Sequence, residues 1–320
     1  MVKKVFLSPV AKRRGLCLLL AVGIFLFIWE LGSTGIFDET PPLFAAASRS
    51  MHISGDWLTP RVNGMPRFDK PPLIYWLMGF IYSLPGQEIW DPLGSLSARI
   101  PSAIASLLMM LFIGETLMSF PQGDDQSPRR TAIIASLVFA LSPLVIIWSR
   151  IAVSDALFCG TLGISLLYQW RRYAQPSSTS WLPAWIILAF AVLTKGPAAV
   201  VITGMVLVLF GFIQQDFRGL ISRIKPIRGI SLTALISAPW YLLELLVEGK
   251  PFWDSFFGYH NFQRLTSVVN SHQQPWWFFV LILVISSLPF TPFLISGILN
   301  EAKIIINLRN ISLNKYSNSL

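Results

Sequence analysis

Charge is what this sequence has least of. Only 13% of its 320 residues are Asp, Glu, Lys or Arg, against 53% hydrophobic, and the mean hydropathy is +0.59. So few charges cannot clothe a soluble domain, which excludes an ordinary soluble fold. Cysteine is nearly absent too. Cys17 and Cys159 both lie in apolar runs, with neither CxxC nor metal-ligand spacing. That excludes a disulfide framework and a thiolate metal site, and both residues read as buried small hydrophobes. Acidic residues are outnumbered, 16 against 25 Lys and Arg, for a formal charge of +9. The basic residues stand in short segments between apolar runs rather than along one polar face. This is a pattern of membrane topology and not of a nucleic-acid groove. No internal repeat, low-complexity tract or separate soluble domain is visible.

What the chain does have is a series of apolar runs. Leu16 to Leu31 follows Lys3, Lys4, Lys12, Arg13 and Arg14 and reads as a first membrane span. A signal peptide is the rival reading, but the cleavage-like "AAAS" at Ala45 to Ser48 lies too far beyond the apolar core. A span must cross about 30 Å of hydrocarbon at about 1.5 Å per residue. Runs of that order fall near 16–36, 97–119, 131–149, 155–170, 181–195, 197–213, 230–248 and 276–299. The expected fold is therefore all-α: a polytopic membrane protein of about eight transmembrane helices, residues 1–299 forming one core and 300–320 a polar cytoplasmic tail.

The run 71–84 decides the topology. As a helix it would reach only about 21 Å, and it begins with two prolines. If it does not cross, the N-terminus, "PQGDDQSPRR", "RRYAQPSS", "QQDFRGLISRIKPIRG" and the tail all face the cytoplasm and hold most of the Lys and Arg. The positive-inside rule asks for that arrangement. The expectation is a multi-pass cell-membrane protein with both termini inside. Residues 71–84 would be a helix along the outer face, with Tyr75, Trp76 and Tyr82 at the lipid interface.

This topology gathers Asp38, Glu39, Asp69, Lys70, Arg150, Asp155, Lys195, His260 and Arg264 on the external side, near span ends. Charges at such depths are usually functional or paired. The long outer loops are 37–96 and 249–275. In the first, Thr40 and Pro41 read as N-cap and first residue of a helix over 41–53, with Leu43, Ala47 and Met51 at i, i+4 and i+8. Asp38 and Glu39 would sit at its positive end. A loop with Gly and Pro turns, "SGDWLTPRVNGMPRFDKPP", follows.

The stretch "FDETPPLFAAASRSMHISGDWLTPRVNGMPRFDKPPLIYW" resembles the first outer loop of the GT-C polytopic glycosyltransferases. These are the enzymes that use lipid-phosphate sugars, grouped with the lipid A aminoarabinose transferase and the protein O-mannosyltransferases. The order carries the resemblance: Asp-Glu after span one, Gly-Asp-Trp, then acid-Lys-Pro before an aromatic helix. "SRIAVSDALF", "LTKGPAAVV", "PWY" and "FFGYHNFQRL" extend it over about residues 16 to 295.

The resemblance implies sugar transfer from a polyprenyl-phosphate donor to a lipid, glycan or protein acceptor on the external face, with inversion. Asp38 is then the candidate base or acceptor-orienting carboxylate, with Glu39 positioning it. Asp155 matches the family's second acid and would hold sugar or acceptor; as an ordinary residue it would be an N-cap or a partner of Arg150. Lys70, Lys195 and Arg264 would neutralise the leaving phosphate. A divalent metal on Asp69 and His260, completed by phosphate oxygens, is a further expectation, although the family often has Glu where Asp69 stands. His52 and His272 fall in no usable motif. A transporter or lipid flippase is the rival class, and so is a non-catalytic relative of the enzyme. Against the first, the charges cluster on one face rather than at the midplane. The family normally continues through further spans, which leaves two expectations open: a core with incomplete acceptor binding, or a partner chain that supplies that part.

Overall fold

The computed structural model describes residues 7–121, 125–263 and 274–300. Twelve helices organise it, α1 (Pro9–Phe27), α2 (Thr40–Ser54), α3 (Leu73–Tyr82), α4 (Gln87–Trp90), α5 (Ser95–Ser119), α6 (Pro128–Leu141), α7 (Pro143–Ser149), α8 (Asp155–Ala174), α9 (Leu182–Lys195), α10 (Ala198–Gln214), α11 (Phe217–Ile224) and α12 (Pro226–Glu248). Beyond α12 a short turn, Lys250–Phe252, runs into a π-helix over Trp253–Gln263. Two further helices, Phe278–Ser286 and Thr291–Asn300, close the described chain.

α5 is the central element and touches α1, α3, α6, α7 and α8. The close approach of α5 and α8 depends on small residues, as lipid-embedded packing generally does. A Cβ at Gly160 would lie 2.8 Å from the Ala105 carbonyl oxygen, and one at Gly114 only 2.4 Å from Leu19 Cδ1 of α1. Asp91 caps the start of α5, its Oδ1 accepting from Leu96 N at 3.1 Å and its Oδ2 from Ser97 N at 2.7 Å. One turn on, Arg99 donates to the carbonyls of Leu31 (2.8 Å), Thr34 (2.9 Å) and Gly35 (2.7 Å). Those carbonyls follow the end of α1 and would otherwise be orphaned. At the other end of α5, Glu115 pairs with Lys12 of α1 at 2.5 Å and with Arg171 of α8.

Several sequence expectations are corrected here. In α2 it is Thr40 that is already helical and Glu39 that occupies the cap, with no side-chain cap bond. The face it buries carries Phe44, Ala47, Ser48 and Met51, while Leu43 is exposed. α3 buries two of the three aromatics expected at the lipid interface and leaves Leu77 and Phe80 exposed. Tyr75 and Tyr82 are buried because α3 packs against α2 and α5, with Tyr82 donating to the Gly94 carbonyl at 2.6 Å. The outer loop also contains a two-stranded hairpin, β1 (Arg61–Val62) paired with β2 (Met65–Pro66). Asn63 and Gly64, at φ 52° and 79°, make the turn whose twist suits a two-residue hairpin. Cys17 and Cys159 are free but exposed. In a chain of this hydropathy an apolar neighbourhood is as often an outward face as a core.

The span count is coarser than eight. α5 and α12 are each long and apolar enough to cross a membrane among the described residues. The run 131–149 is α6 and α7, bent by 66° where Pro143 starts the second piece. The run 276–299 is likewise two helices, bent by 112°. α3, α9 and α10 are shorter apolar helices. The 71–84 run, as expected from its length, does not make a full span, and the chain is predominantly helical.

The α5–α8 contact is directly testable. Gly160→Val should destabilise the protein by about 1–3 kcal/mol through overpacking. Thermal unfolding in detergent reads this, and an unchanged midpoint would mean that the two backbones do not meet.

Candidate active site

The chemistry-bearing residues converge where the non-helical backbone lies, between the outer loop, the start of α8 and the π-helix. Asp38, Arg67, Asp69, Lys70, Asp155 and His260 line one cavity of about 650 Å³, together with Phe44, Trp148 and Ser255. Asp38 is exposed and holds φ at 80°, a left-handed conformation that a non-glycine residue rarely keeps. Its Oδ1 accepts from the Glu39 backbone N–H at 2.7 Å, so the side chain is turned back over the start of α2. Glu39 itself is not among the cavity's lining residues.

The wall opposite is built by "PRFDKPP". Arg67 donates to Asp69 Oδ2 at 2.7 Å and to the Tyr75 hydroxyl at 3.2 Å, and that hydroxyl donates to Asp69 Oδ1 at 2.9 Å. Three residues thus form a closed ring that fixes both carboxylate oxygens. Burial would lower the Arg67 pKa, but Tyr75 and Asp69 beside it outweigh that and raise it. Burial, with the Asp69 carboxylate next to it, pushes the Tyr75 phenol well above its ordinary value. Arg67 therefore stays charged and Tyr75 stays a neutral donor. Lys70 Nζ donates to the Asp69 carbonyl at 2.9 Å, and Pro71 turns the chain directly into α3.

Asp155 is the first residue of α8, with Ser154 as the cap. Its partner is Lys195 of α9, Nζ to Oδ1 at 2.6 Å, and not Arg150. Arg150 instead donates to the carbonyls of Leu26 and Trp29 at the end of α1. Lys195 stands at the break expected from "TKGP": α9 ends on it, Gly196 takes φ 81°, and α10 begins at Ala198. A Cβ at Gly196 would lie 3.0 Å from Phe256 of the π-helix, so the break and the His260 segment are in contact. Asp155 and Lys195 also line a second cavity of about 270 Å³, whose other walls are Met109, Phe139, Leu144, Val145, Trp148 and Phe158. Asp155 and Trp148 are common to the two cavities.

Asp38, Asp69, Lys70, Asp155 and His260 are thus brought together, with Lys195 one ion pair away. Arg264 and His272 lie outside the described residues. Arg67 and Tyr75 escaped the sequence reading, although an Arg two residues before Asp69 and a Tyr six after it sit on the quoted motif. The expected metal pair, Asp69 and His260, both line the cavity. Among the described residues no three His, Cys, Asp or Glu side chains group to hold an ion. Asp69 is paired with the Arg67 guanidinium at 2.7 Å.

A family model described as dolichyl-phosphate-mannose-protein mannosyltransferase matches residues 69–242, more than half the chain. The chain belongs to that family. It is also similar to an undecaprenyl phosphate-α-4-amino-4-deoxy-L-arabinose arabinosyl transferase of Pseudomonas aeruginosa (strain UCBPP-PA14), 26% identical over 288 residues, 88% of this chain and 49% of that one. A counterpart in Pseudomonas fluorescens (strain Pf0-1) is 25% identical over 289 residues, 88% of this chain and 49% of its own length. The chain spans about half the length of the curated relatives it matches. Its fold is that of ArnT from Cupriavidus metallidurans, with a TM-score of 0.74 to the apo structure, at 23% identity over 86% of this chain and 48% of the other. Against the ArnT structure bound to undecaprenyl phosphate the TM-score is 0.76, at 24% identity over 86% and 49%.

The Arg67–Asp69–Tyr75 ring should be energetically coupled. Tyr75→Phe leaves a carboxylate oxygen without its buried donor, a loss of about 1–3 kcal/mol. Thermal unfolding of Tyr75→Phe, Arg67→Met and the double variant reads the coupling. Additive effects in that cycle would show that the ring does not act as a unit.

Proposed function

We propose that this chain is the catalytic core of a membrane glycosyltransferase that moves a sugar from a polyprenyl-phosphate donor to an acceptor hydroxyl or phosphate on the external face. One observation carries the proposal: a single cavity joins a strained carboxylate, Asp38, to the cation Lys70 and, through Asp155, to Lys195. The relatives named as arabinosyl transferases, and the undecaprenyl phosphate held by the Cupriavidus protein, support a polyprenyl-phosphate donor. The apolar cavity beside the Asp155–Lys195 pair is consistent with a donor that is ionic at one end and hydrocarbon at the other.

In this mechanism Asp38 orients the acceptor and takes its proton. The acceptor oxygen forms its bond to the sugar carbon as the carbon–oxygen bond to phosphate breaks, with inversion. The electron pair leaves with the phosphate, and Lys70, Lys195 and Arg264 stabilise that charge. Asp155 keeps Lys195 aimed at the boundary between the cavities and lies where the sugar would sit. Glu39 contributes its backbone N–H to Asp38 rather than its carboxylate. His260 forms part of the cavity wall, and no step is routed through a metal. The proposed setting is the inner or plasma membrane, with about eight passes and both termini cytoplasmic.

Two measurements test this. Purified protein in detergent, given a panel of radiolabelled polyprenyl-phosphate sugars, should transfer label, and Asp38→Asn should lower turnover about 100-fold or more while inserting normally. Undiminished transfer by that variant would remove Asp38 from the mechanism. Lys70→Ala and Lys195→Ala should weaken donor binding by at least about tenfold, read as lipid-phosphate affinity, and unchanged affinity would overturn their assignment. For the topology, a cysteine at Gly64 should react with an impermeant reagent from outside; labelling only from the cytoplasm would invert it.

A further inference from the structure

Glu244 of α12 is fully buried, belongs to no part of the proposed reaction and bridges two walls of the site. Its Oε2 accepts from the Thr59 hydroxyl at 3.0 Å, whereas its Oε1 is buried with no hydrogen-bond partner. The groups facing it are Asp56 and Arg61 from the outer loop and Glu248 one turn along α12. Arg61 is already committed to Glu248, and lies 3.5 Å from Asp56 Oδ2. Asp56 and Glu248 therefore already share the Arg61 guanidinium near Glu244. An ionised Glu244 would be a buried charge with a single neutral donor among like charges, whereas its neutral form carries no such penalty.

What Glu244 holds matters because of where the loop leads. Thr59 and Leu58, whose carbonyl accepts from Trp240 Nε1 at 3.0 Å, precede the hairpin. Arg67 N donates to the Pro60 carbonyl at 2.7 Å on its return, and Asp69 and Lys70 come next. On the other side, α12 continues into the π-helix that carries His260.

We propose that Glu244 is a proton-controlled latch, holding the outer loop on α12 when protonated and loosening it when ionised. It is a positioning residue, acting on Asp69 and Lys70 through the loop. The sign follows from the geometry: raising pH charges Glu244 beside Asp56 and Glu248 and weakens the hold.

Amide hydrogen exchange of residues 56–67 in lipid nanodiscs tests this without reference to sugar transfer. The reporters are Leu58, Thr59 and Arg67, whose N–H groups are hydrogen-bonded in the closed loop. Dividing wild-type rates by those of Glu244→Gln at each pH removes the chemical exchange rate. The ratio should rise at least about threefold from the acid to the alkaline end of the pH range in which both proteins stay folded, because Gln keeps the latch neutral. Thr59→Val should exchange faster than wild type already at the lower pH. A ratio flat with pH, or Thr59→Val exchanging like wild type, would overturn the proposal. Monodisperse elution of both variants guards against misfolding, and the transfer assay is not involved, so this inference and the proposed function can fail separately.

Discussion

The ion pair between Asp155 and Lys195 is the constraint on which the rest of the site depends. It ties the first residue of α8 to the last residue of α9, so two helices meet end to end at one depth. Half-exposed, the pair contributes little stability by itself. Its consequence is positional. With α9 ended at Lys195, Gly196 turns the backbone at a left-handed φ and brings it against Phe256, and the π-helix with His260 is laid along the break. Backbone that is not helical is tolerated in a membrane protein where it lines a cavity or is buried in protein, and the cavity of about 650 Å³ is where this chain does both.

The same logic accounts for the arginines that take no part in the chemistry. Arg99 and Arg150 together satisfy five backbone carbonyls after or near the end of α1. Asp38 follows three residues beyond Gly35, the last of them. Its strained backbone can persist because the chain before it is clamped and the chain after it begins α2. The α2 face bearing Phe44 and Met51 then packs on α3, whose Tyr75 reaches back to Asp69. Each carboxylate of the cavity is thus held by an element that another cation or helix end has already fixed.

Much of this was legible in the sequence, and the failures share one origin. Of the residues that the family resemblance and the charge placement group together, Asp38, Asp69, Lys70, Asp155 and His260 line one cavity and Glu39 does not. The break at Lys195 was readable from "TKGP". What periodicity could not show was which apolar surface faces protein and which faces lipid. Leu43 and Phe44 are adjacent and equally apolar, yet Leu43 is exposed and Phe44 buried. Tyr75 and Tyr82 have the composition of an interface helix, but they lie on the face of α3 that packs on protein, where their hydroxyls find Asp69 and the Gly94 carbonyl, while Phe80 on the other face is exposed. The bends at Pro143 and after Ser286 were hidden for the same reason: a hydropathy run records length and not direction.

Arg67 shows how a charge can be decisive without being part of the reaction. It neutralises Asp69 with a charge that arrives with the fold. Its planar fork reaches a carboxylate oxygen and the Tyr75 hydroxyl together, which fixes the direction of Asp69 as well as its charge. Lys70, one residue on, bonds the Asp69 backbone carbonyl. A leaving phosphate meeting this wall would find the lysine already oriented, and no reorganisation of the ring would be needed when negative charge develops.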